Sequence, residues 1–246
     1  MNEYINLTLD NLDHEHLCCA ISDKKHETGV DFKKEWLKDR IKEGHIFRKL
    51  NAKGKVFIEY APLELSWTPI SGNNFNYIYC LWVSGSFKDK GYGKELLEYA
   101  IEDSKKQGKN GICTITSKKK KPFISEKKFF EKYGFKVVDT VGEYELIALC
   151  FNNEKPTFND NVRKMEIDNK DLTIYYSMQC PFTYNCISEL EEYKKENNLK
   201  INFQKIDTLE KAKNVPCIFN NWAIFKDGKF VSNTLLNKNS ASKLYN

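Results

Sequence analysis

An anion-binding turn is the chemistry that this sequence offers most plainly. Gly91 and Gly93 stand two residues apart in Phe87-Lys-Asp-Lys-Gly-Tyr-Gly-Lys94. Glycine has no Cβ, so the backbone N–H groups of such a turn can face a ligand. Lysines on both sides add positive charge. We therefore expect this turn to bind an anion, most naturally a phosphate.

The residues around the turn predict the elements that position it. The apolar aromatic run Tyr77–Val83 is short and dense enough for a buried strand. Behind the turn, apolar residues at helical spacing predict one buried helix face. That face consists of Leu96, Leu97, Ala100, Ile101 and Ser104. The turn would then lie at the N-terminus of a helix, where the helix dipole favours an anion.

The turn resembles the pyrophosphate-binding signature of the GNAT superfamily of N-acetyltransferases, Arg/Gln-x-x-Gly-x-Gly/Ala. In this chain it reads Lys88-Asp-Lys-Gly-Tyr-Gly93, with lysine in place of the usual arginine or glutamine. Leu96 stands where the dinucleotide fingerprint Gly-x-Gly-x-x-Gly has its last glycine. A second stretch, Lys128-Phe-Phe-Glu-Lys-Tyr-Gly-Phe-Lys-Val-Val138, resembles the late helix and following strand of the same superfamily.

The order of predicted elements over about the first 150 residues also resembles the GNAT arrangement. It reads strand, two helices, three strands, helix, strand, helix and two strands. The first helix is predicted around Leu12–Ile21 and the second at Asp31–Glu43. A hairpin of His45–Leu50 and Lys55–Leu65 precedes the central strand.

The resemblance implies acetyl-CoA as the cosubstrate and a small-molecule or peptide amine as the acceptor of its acetyl group. It further implies that backbone N–H groups of the turn hold the pyrophosphate. The pantetheine arm would pair with the end of the central strand, where an N–H stabilises the oxyanion. The implied cofactor-binding residues are Leu81, Trp82, Val83, Lys88, Asp89, Lys90, Gly91, Tyr92, Gly93 and Lys94. For Trp82 and its neighbours, core packing is the alternative role of the side chains.

Proton transfer is less clearly assigned than cofactor binding. An acceptor amine must lose a proton, since an unperturbed alkyl amine has a pKa near about 10.4. Glu59 and Glu64, on the strand beside the cofactor strand, are candidate bases, although a solvated strand face suits glutamate as well. The superfamily's usual tyrosine acid is replaced by Phe130, which leaves Tyr133 and Tyr79 as candidates. A catalytically weak CoA- or thiol-ligand-binding sensor is the alternative function.

A second domain is predicted after a polar, asparagine-rich linker. The linker is 153–165, the first domain 1–152 and the second 166–246. The second domain reads strand, Cys-x-x-Thr, helix, strand, Val-Pro, two strands and helix, which resembles the thioredoxin fold. Pro216 stands where that fold has a cis-proline. Gln179-Cys-Pro-Phe-Thr183 behind an acetyltransferase domain resembles YoaP-like proteins. The expected fold is therefore mixed α/β, a GNAT domain followed by a smaller thioredoxin-like domain that assists acceptor or partner recognition.

Cys180 is a candidate reactive thiol. It begins a predicted helix, where the dipole favours the thiolate. Thr183 occupies the place of the second cysteine of a redox pair, which disfavours a thiol oxidoreductase. Cys186 points elsewhere on the helix, and Cys217, beside Pro216, is the expected neighbour. A structural remnant of the thioredoxin fold is the alternative.

Composition limits the partners. The net charge of +5 comes almost wholly from lysine and is too mild to indicate a nucleic-acid partner. No apolar run reaches the roughly 18 residues of a membrane span, and the N-terminus has no signal-peptide pattern, so we expect a cytoplasmic protein with no membrane contact. The eight scattered cysteines and the histidines near Cys18 and Cys19 match no zinc template, so reduced thiols and no metal are expected. The run Lys118–Lys121 suits either a CoA phosphate or a solvated loop.

Overall fold

Two β-sheets organise the part of the chain that the computed structural model describes, residues 3–20 and 24–244. The strands are β1 (Tyr4–Asn6), β2 (Ile46–Leu50), β3 (Val56–Pro62), β4 (Ile70–Ser71), β5 (Phe75–Val83), β6 (Gly111–Ser117), β7 (Lys136–Val141), β8 (Tyr144–Cys150), β9 (Thr157–Phe158), β10 (Leu172–Tyr176), β11 (Ile201–Lys205), β12 (Trp222–Lys226) and β13 (Lys229–Ser232). The helices are α1 (Glu27–Lys42), α2 (Tyr92–Lys106), α3 (Lys127–Glu131), α4 (Thr183–Glu196), α5 (Leu209–Lys213) and α6 (Lys238–Ser242).

The larger sheet has seven strands in the order β1-β2-β3-β5-β6-β8-β7. All neighbours are antiparallel except β5 and β6, which are parallel. Alternate residues of β3 face opposite sides, as strand geometry requires. Val56 and Ile58 pack with α2, whereas Phe57 packs with Trp36 and Leu37 of α1. The two helices therefore cover opposite faces of this sheet.

The smaller sheet has four strands in the order β11-β10-β12-β13. β10 and β11 are parallel and joined through α4, while the other neighbours are antiparallel. Its core includes Leu172, Ile174, Leu190 and Trp222. The α/β class with mixed sheets is therefore confirmed.

Docking of the two sheets is extensive. One apolar cluster contains Phe47 and Phe57 of the larger sheet together with Phe219 and Phe225 of the second half of the chain. Lys213 of α5 donates hydrogen bonds to carbonyl oxygens of the first half, those of Leu63 (2.8 Å) and Ile70 (2.9 Å). Because apolar burial and hydrogen bonds both cross the boundary, the second half is held in a fixed place against the first.

The segment 153–165 is more structured than its polar composition suggests. β9 pairs with β4, and Phe158 and Val162 are buried. Arg163 forms an ion pair of 2.7 Å with Asp139. A polar segment with a few apolar anchors therefore runs along the surface of both halves.

Two sequence expectations are wrong. Residues 12–20 form turns and a short 3₁₀ helix, Cys18–Ala20, rather than the predicted helix. The Asn11 side chain holds the preceding turn instead, because its oxygen accepts the Thr8 N–H (2.8 Å) and its amide nitrogen donates to the Asn6 carbonyl (3.0 Å). Ile21, which the prediction included, lies outside the described residues. The described residues contain no cis peptide bond, so the peptide before Pro216 is trans. The Val215 carbonyl of that peptide accepts a hydrogen bond from Asn161 (2.7 Å).

No helix within residues 3–20 and 24–244 combines the length and apolar character that crossing a membrane requires.

Candidate active site

The larger sheet splits between its two parallel strands. β5 and β6 pair only at Phe75–Tyr77, opposite Gly111–Cys113, although β5 continues to Val83 and β6 to Ser117. Beyond the last pair, the Thr114 hydroxyl bonds the Ile78 carbonyl (2.9 Å). The β6-facing edge of residues 79–83 is therefore left without a strand partner. An unpaired strand edge can accept an extended ligand through its main chain.

A β-bulge lies at the start of this split. On β3 and β5, Glu59 pairs with Cys80 and Tyr60 with Ile78, so Tyr79 is an extra residue on β5. Bulges bend a strand and redirect its side chains. The local irregularity explains why β5 leaves β6 at this point in the sheet.

The glycine turn follows β5 and begins α2. Gly91 is the N-cap of α2 with φ +85°, a conformation that glycine adopts without strain. No heavy atom lies within 4 Å of a Cβ placed on Gly91. The amide of Lys88 donates to the Gly85 carbonyl (3.3 Å), and that of Glu95 donates to Gly91 (3.1 Å). The amides of residues 89–94 have no protein acceptor, and this stretch is largely exposed.

The turn adjoins the end of the split strand. A Cβ on Gly93 would lie 3.8 Å from Val83 Cγ2 and 3.5 Å from the Phe129 ring. Leu81 and Trp82, the residues before Val83, line a cavity. Free amides, the unpaired strand edge and the cavity are therefore contiguous.

The cavity has a volume of about 390 Å³ and lies between the two halves of the chain. From the first half, α1, β3, β5 and the loop around Phe123 contribute to its wall. From the second half come Gln179–Phe182 and Asn220–Asn221. The second half is thus part of the site and covers one face of the larger sheet.

A buried ion pair lies in the wall of this cavity. Lys33 Nζ of α1 is 2.5 Å from Glu59 Oε1 of β3, and both side chains are 3% exposed. His45 Nε2 lies 3.4 Å from the other Glu59 oxygen. Burial raises the pKa of Glu59, but the Lys33 ammonium and His45 outweigh burial and lower it below its ordinary value. Burial lowers the pKa of His45, so this imidazole is neutral at pH 7.

Two of the four candidate proton-transfer residues line the cavity, and the other two lie outside it. Glu59 and Tyr79 both line the cavity. The Tyr79 oxygen accepts the Trp67 N–H (2.7 Å), and burial raises the pKa of this phenol, so it stays protonated at neutral pH. Tyr133 lies outside the cavity wall and packs on Phe129 at 5.3 Å between ring centroids. Glu64 also lies outside it and accepts the Asn74 N–H.

The expectation that Cys180 is a thiolate is wrong. Burial raises the pKa of this thiol, although hydrogen bonds from the Phe182 and Thr183 amides and the Lys33 charge oppose the rise. Helix α4 begins only at Thr183, and the cavity wall encloses the thiol. The other cysteines of the described wall are Cys19 and Cys80, whereas Cys217, the expected neighbour, is fully buried in the core.

The lysine run 118–121 contacts the turn between β7 and β8. Lys121 lies 3.0 Å and Lys119 3.9 Å from Glu143, and Lys118 donates to the Gly142 carbonyl. These contacts favour a surface role for the run.

Three contributors to the site were missed from the sequence. Lys33 occupies the apolar face of α1, three and four residues before Trp36 and Leu37, and that position was the available signal. Gly29 of α1 touches the second half so closely that a Cβ would lie within 1.9 Å of the Pro181 oxygen, and no local pattern indicates such a contact. Gln179 is buried, and both polar atoms of its side chain lack a partner.

A helix N-terminus with free amides, beside a split strand edge that opens into a cavity, defines a protein suited to a long phosphorylated ligand and a second, smaller one. Residues 9–135 match the model of the acetyltransferase (GNAT) family, and residues 201–243 match a YoaP-like model. A Bacillus subtilis (strain 168) protein described as the uncharacterized N-acetyltransferase YoaP is 41% identical over 246 residues, covering 99% of this chain and 98% of its own. The chain belongs to the GNAT acetyltransferase family. The sequence-based prediction of an acetyltransferase enzyme is thereby confirmed.

Solved structures with a similar fold have lower identity. The PaiA N-acetyltransferase of Thermoplasma acidophilum, in complex with coenzyme A, is 20% identical, with 61% of this chain and 99% of that chain covered and a TM-score of 0.45. A GNAT-family acetyltransferase from Staphylococcus aureus Mu50 is 18% identical, with 62% and 100% covered and a TM-score of 0.44. The family assignment depends on the sequence matches and not on these likenesses.

Proposed function

We propose that this protein transfers the acetyl group of acetyl-CoA to an amine bound between its two halves. The observation that carries this proposal is the continuity of three features: free amides at residues 89–94, the unpaired end of β5, and the cavity beyond it. An acyl-CoA needs one site for its pyrophosphate, an extended path for its pantetheine arm and a place where its thioester meets the acceptor. These three features occur here in that order.

Acetyl-CoA supplies an activated acyl group, and the chain's own residues would hold and orient it. The amides of Asp89–Lys94 would bind the pyrophosphate, helped by the positive end of α2. The β6-facing edge of Leu81–Val83 would pair with the amides of the pantetheine arm. A main-chain N–H on that edge would stabilise the negative charge that develops on the thioester oxygen.

Proton balance assigns roles to the two cavity candidates. An ammonium acceptor loses two protons, one before its nitrogen attacks the thioester and one as the amide forms. The departing CoA thiolate gains one proton, so the reaction releases one proton overall. Glu59, which Lys33 keeps ionised, would take the acceptor's proton directly or through water. Tyr79, which stays protonated and already accepts the Trp67 N–H, would use its own hydroxyl proton for the thiolate. The positions of Phe130 in the core and Tyr133 outside the cavity wall favour Tyr79 for this role.

We further propose that the second half is a thioredoxin-like domain that serves acceptor recognition. Its strand order, with a parallel pair joined by a helix and an antiparallel hairpin on the other side, supports that classification. Thr183 in place of a second cysteine, and the raised pKa of Cys180, argue against redox chemistry there. The turn Gln179–Phe182 instead forms part of the cavity wall.

Two measurements test the proposed function. Isothermal titration should show binding of CoA, and a panel of primary amines should include acceptors that release CoA thiol from acetyl-CoA in steady state. Tyr79→Phe and Glu59→Gln should keep CoA binding and reduce kcat by about 10²–10⁴-fold, the usual contribution of a positioned acid or base. CoA binding without turnover of any amine would contradict the transferase proposal and favour a sensor.

A further inference from the structure

We propose that Gln179 selects acceptors that carry an amide group on an aromatic body. This inference rests on the proposed function, because it concerns the acceptor that would occupy the same cavity. It goes further by naming the chemistry of that acceptor and the residue that recognises it.

The side chain of Gln179 is buried and has no hydrogen-bond partner among the residues that the structure describes. It is 7% exposed, and neither Nε2 nor Oε1 makes a hydrogen bond. Buried carboxamides are almost always hydrogen-bonded, because an unpaired buried donor or acceptor is costly. Gln179 lines the cavity although both of its polar atoms are fully buried, so a ligand there can reach them once the side chain rotates toward the cavity. One donor group and one acceptor together complement an amide, which offers an N–H and a C=O.

The other two carboxamide residues of the cavity wall already have contacts. Asn220 Oδ1 accepts a hydrogen bond from the Tyr77 hydroxyl (3.3 Å). The main-chain carbonyl of Asn221 accepts the Ser177 N–H (3.0 Å), which connects the turn after β10 to this segment. Of the three carboxamide side chains in the described wall, that of Gln179 is the one whose two polar atoms are both buried without a partner. Gln179 is therefore the one of the three that we assign to a ligand.

Aromatic side chains form the rest of the space that a ligand body would occupy. Phe57 lies in the wall and is fully buried, while Trp82 and Phe123 are 45% and 43% exposed. Phe123 has φ +61°, an uncommon conformation for a bulky residue. Large exposed aromatic groups beside a cavity are typical of binding sites for flat apolar ligands. These contacts favour an aromatic acceptor over a short aliphatic one.

The charges of the wall disfavour a polyamine. Among the described residues of the wall, Glu59 is the one carboxylate, and Lys33 neutralises it at 2.5 Å. Lys55 adds a positive charge. A polycationic acceptor would meet repulsion from this ammonium and would gain no further carboxylate partner from the described wall. A neutral amide group meets no such penalty.

The test compares two amines that differ only in the amide group. Phenylalaninamide and phenethylamine share an aromatic ring and a primary amine, and spermidine represents the polyamines. In the wild-type protein kcat/KM for phenylalaninamide should exceed that for phenethylamine by about 10–100-fold, as two hydrogen bonds allow. Gln179→Met should reduce this preference to less than about threefold. Gln204→Met, which replaces an exposed glutamine of β11, should leave it unchanged.

A second readout separates recognition from a structural role. Since Gln179 has no protein partner, Gln179→Met should leave the ligand-free Tm unchanged or raise it by a few degrees. A clear fall in Tm would show a structural role and overturn the inference, as would equal kcat/KM for the two amines or an amide preference that survives Gln179→Met.

Failure of the proposed function would be recognised separately. If CoA binds but no amine produces CoA thiol from acetyl-CoA, the transferase proposal fails. The amide preference is then read from calorimetric titration of phenylalaninamide and phenethylamine into the CoA-loaded protein. Equal affinities, or a preference that Gln179→Met leaves intact, would overturn the inference on its own.

Discussion

Replacing Gly91 by valine tests the amide site against a matched position on the same helix. Gly91 begins α2 with φ +85°, and Gly108 follows its C-terminus with φ +67°. Neither has a heavy atom within 4 Å of a Cβ placed on it. A non-glycine residue in the left-handed region costs about 1–2 kcal/mol at either position. Gly91→Val and Gly108→Val should therefore lower the free energy of unfolding by similar amounts.

Their effects on CoA binding should differ greatly. A valine at Gly91 forces the turn toward negative φ and moves the amides of residues 89–94. A hydrogen bond to a charged group contributes about 1.5–3 kcal/mol, so loss of two of them costs about 3–6 kcal/mol. That loss weakens CoA binding by about 10²–10⁴-fold, at 1.4 kcal/mol per factor of ten. Gly108→Val should change the Kd less than about twofold. Lys88→Ala removes an exposed charge worth under about 1 kcal/mol, so its loss should stay below about fivefold.

Isothermal titration of CoA into the three variants, with urea unfolding as a check on stability, decides the matter. Equal losses of affinity in Gly91→Val and Gly108→Val would show that the backbone amides do not hold the ligand. A loss in Lys88→Ala as large as that in Gly91→Val would show that side-chain charge, and not the main chain, supplies the affinity.

Three further predictions concern the wall between the two halves. Gly29→Ala should lower the free energy of unfolding by about 1–3 kcal/mol and reduce acceptor turnover while CoA still binds, because its Cβ would overlap the Pro181 oxygen. Thermal unfolding together with CoA titration checks this prediction, and an unchanged Tm would contradict it. Glu59→Gln should lower the free energy of unfolding by about 3–5 kcal/mol above pH 4.5, because it leaves the Lys33 ammonium buried without a counter-charge. Because the pKa of Glu59 is lowered in the folded protein, its ionised form stabilises the fold above the unfolded-state pKa, and this contribution is lost as the pH falls through the folded-state pKa. Urea unfolding should therefore show that the stability difference between Glu59→Gln and wild type shrinks below about pH 4.5. A difference that stays constant down to about pH 2 would refute the role of the ion pair. Cys180 should react with iodoacetamide at pH 7 more slowly in the folded than in the urea-unfolded chain, as followed by peptide-resolved mass spectrometry, and faster reaction in the folded chain would reveal an activated thiolate.

The elements around the turn could be predicted because their signals are local. The predicted helix face behind the turn, Leu96 to Ser104, is the buried face of α2. In the second half, the predicted succession of strand, helix and strand appears as β10, α4 and β11. Periodicity and turn residues report on neighbours within one element, and these elements depend on little else.

Properties of the site that depend on distant contacts could not be predicted. The α1 contact of Gly29 with Pro181, and the pairing of Lys33 with Glu59, join residues far apart in the chain. The helix-start rule gave the wrong direction for the pKa of Cys180, because burial in the cavity wall outweighs the local amides. Glu59 was one of two candidate glutamates, and only the tertiary structure separates it from Glu64.

A crystal structure of the protein soaked with acetyl-CoA would show directly whether the turn and the end of β5 bind this ligand. We expect pyrophosphate oxygens within about 3 Å of main-chain nitrogens of residues 89–94, a hydrogen-bonding distance. We also expect the pantetheine arm along Leu81–Val83 and the acetyl group at the cavity that Glu59 and Tyr79 line. Acetyl-CoA bound elsewhere on the protein, with the turn free of ligand and the edge of β5 unused, would contradict these expectations.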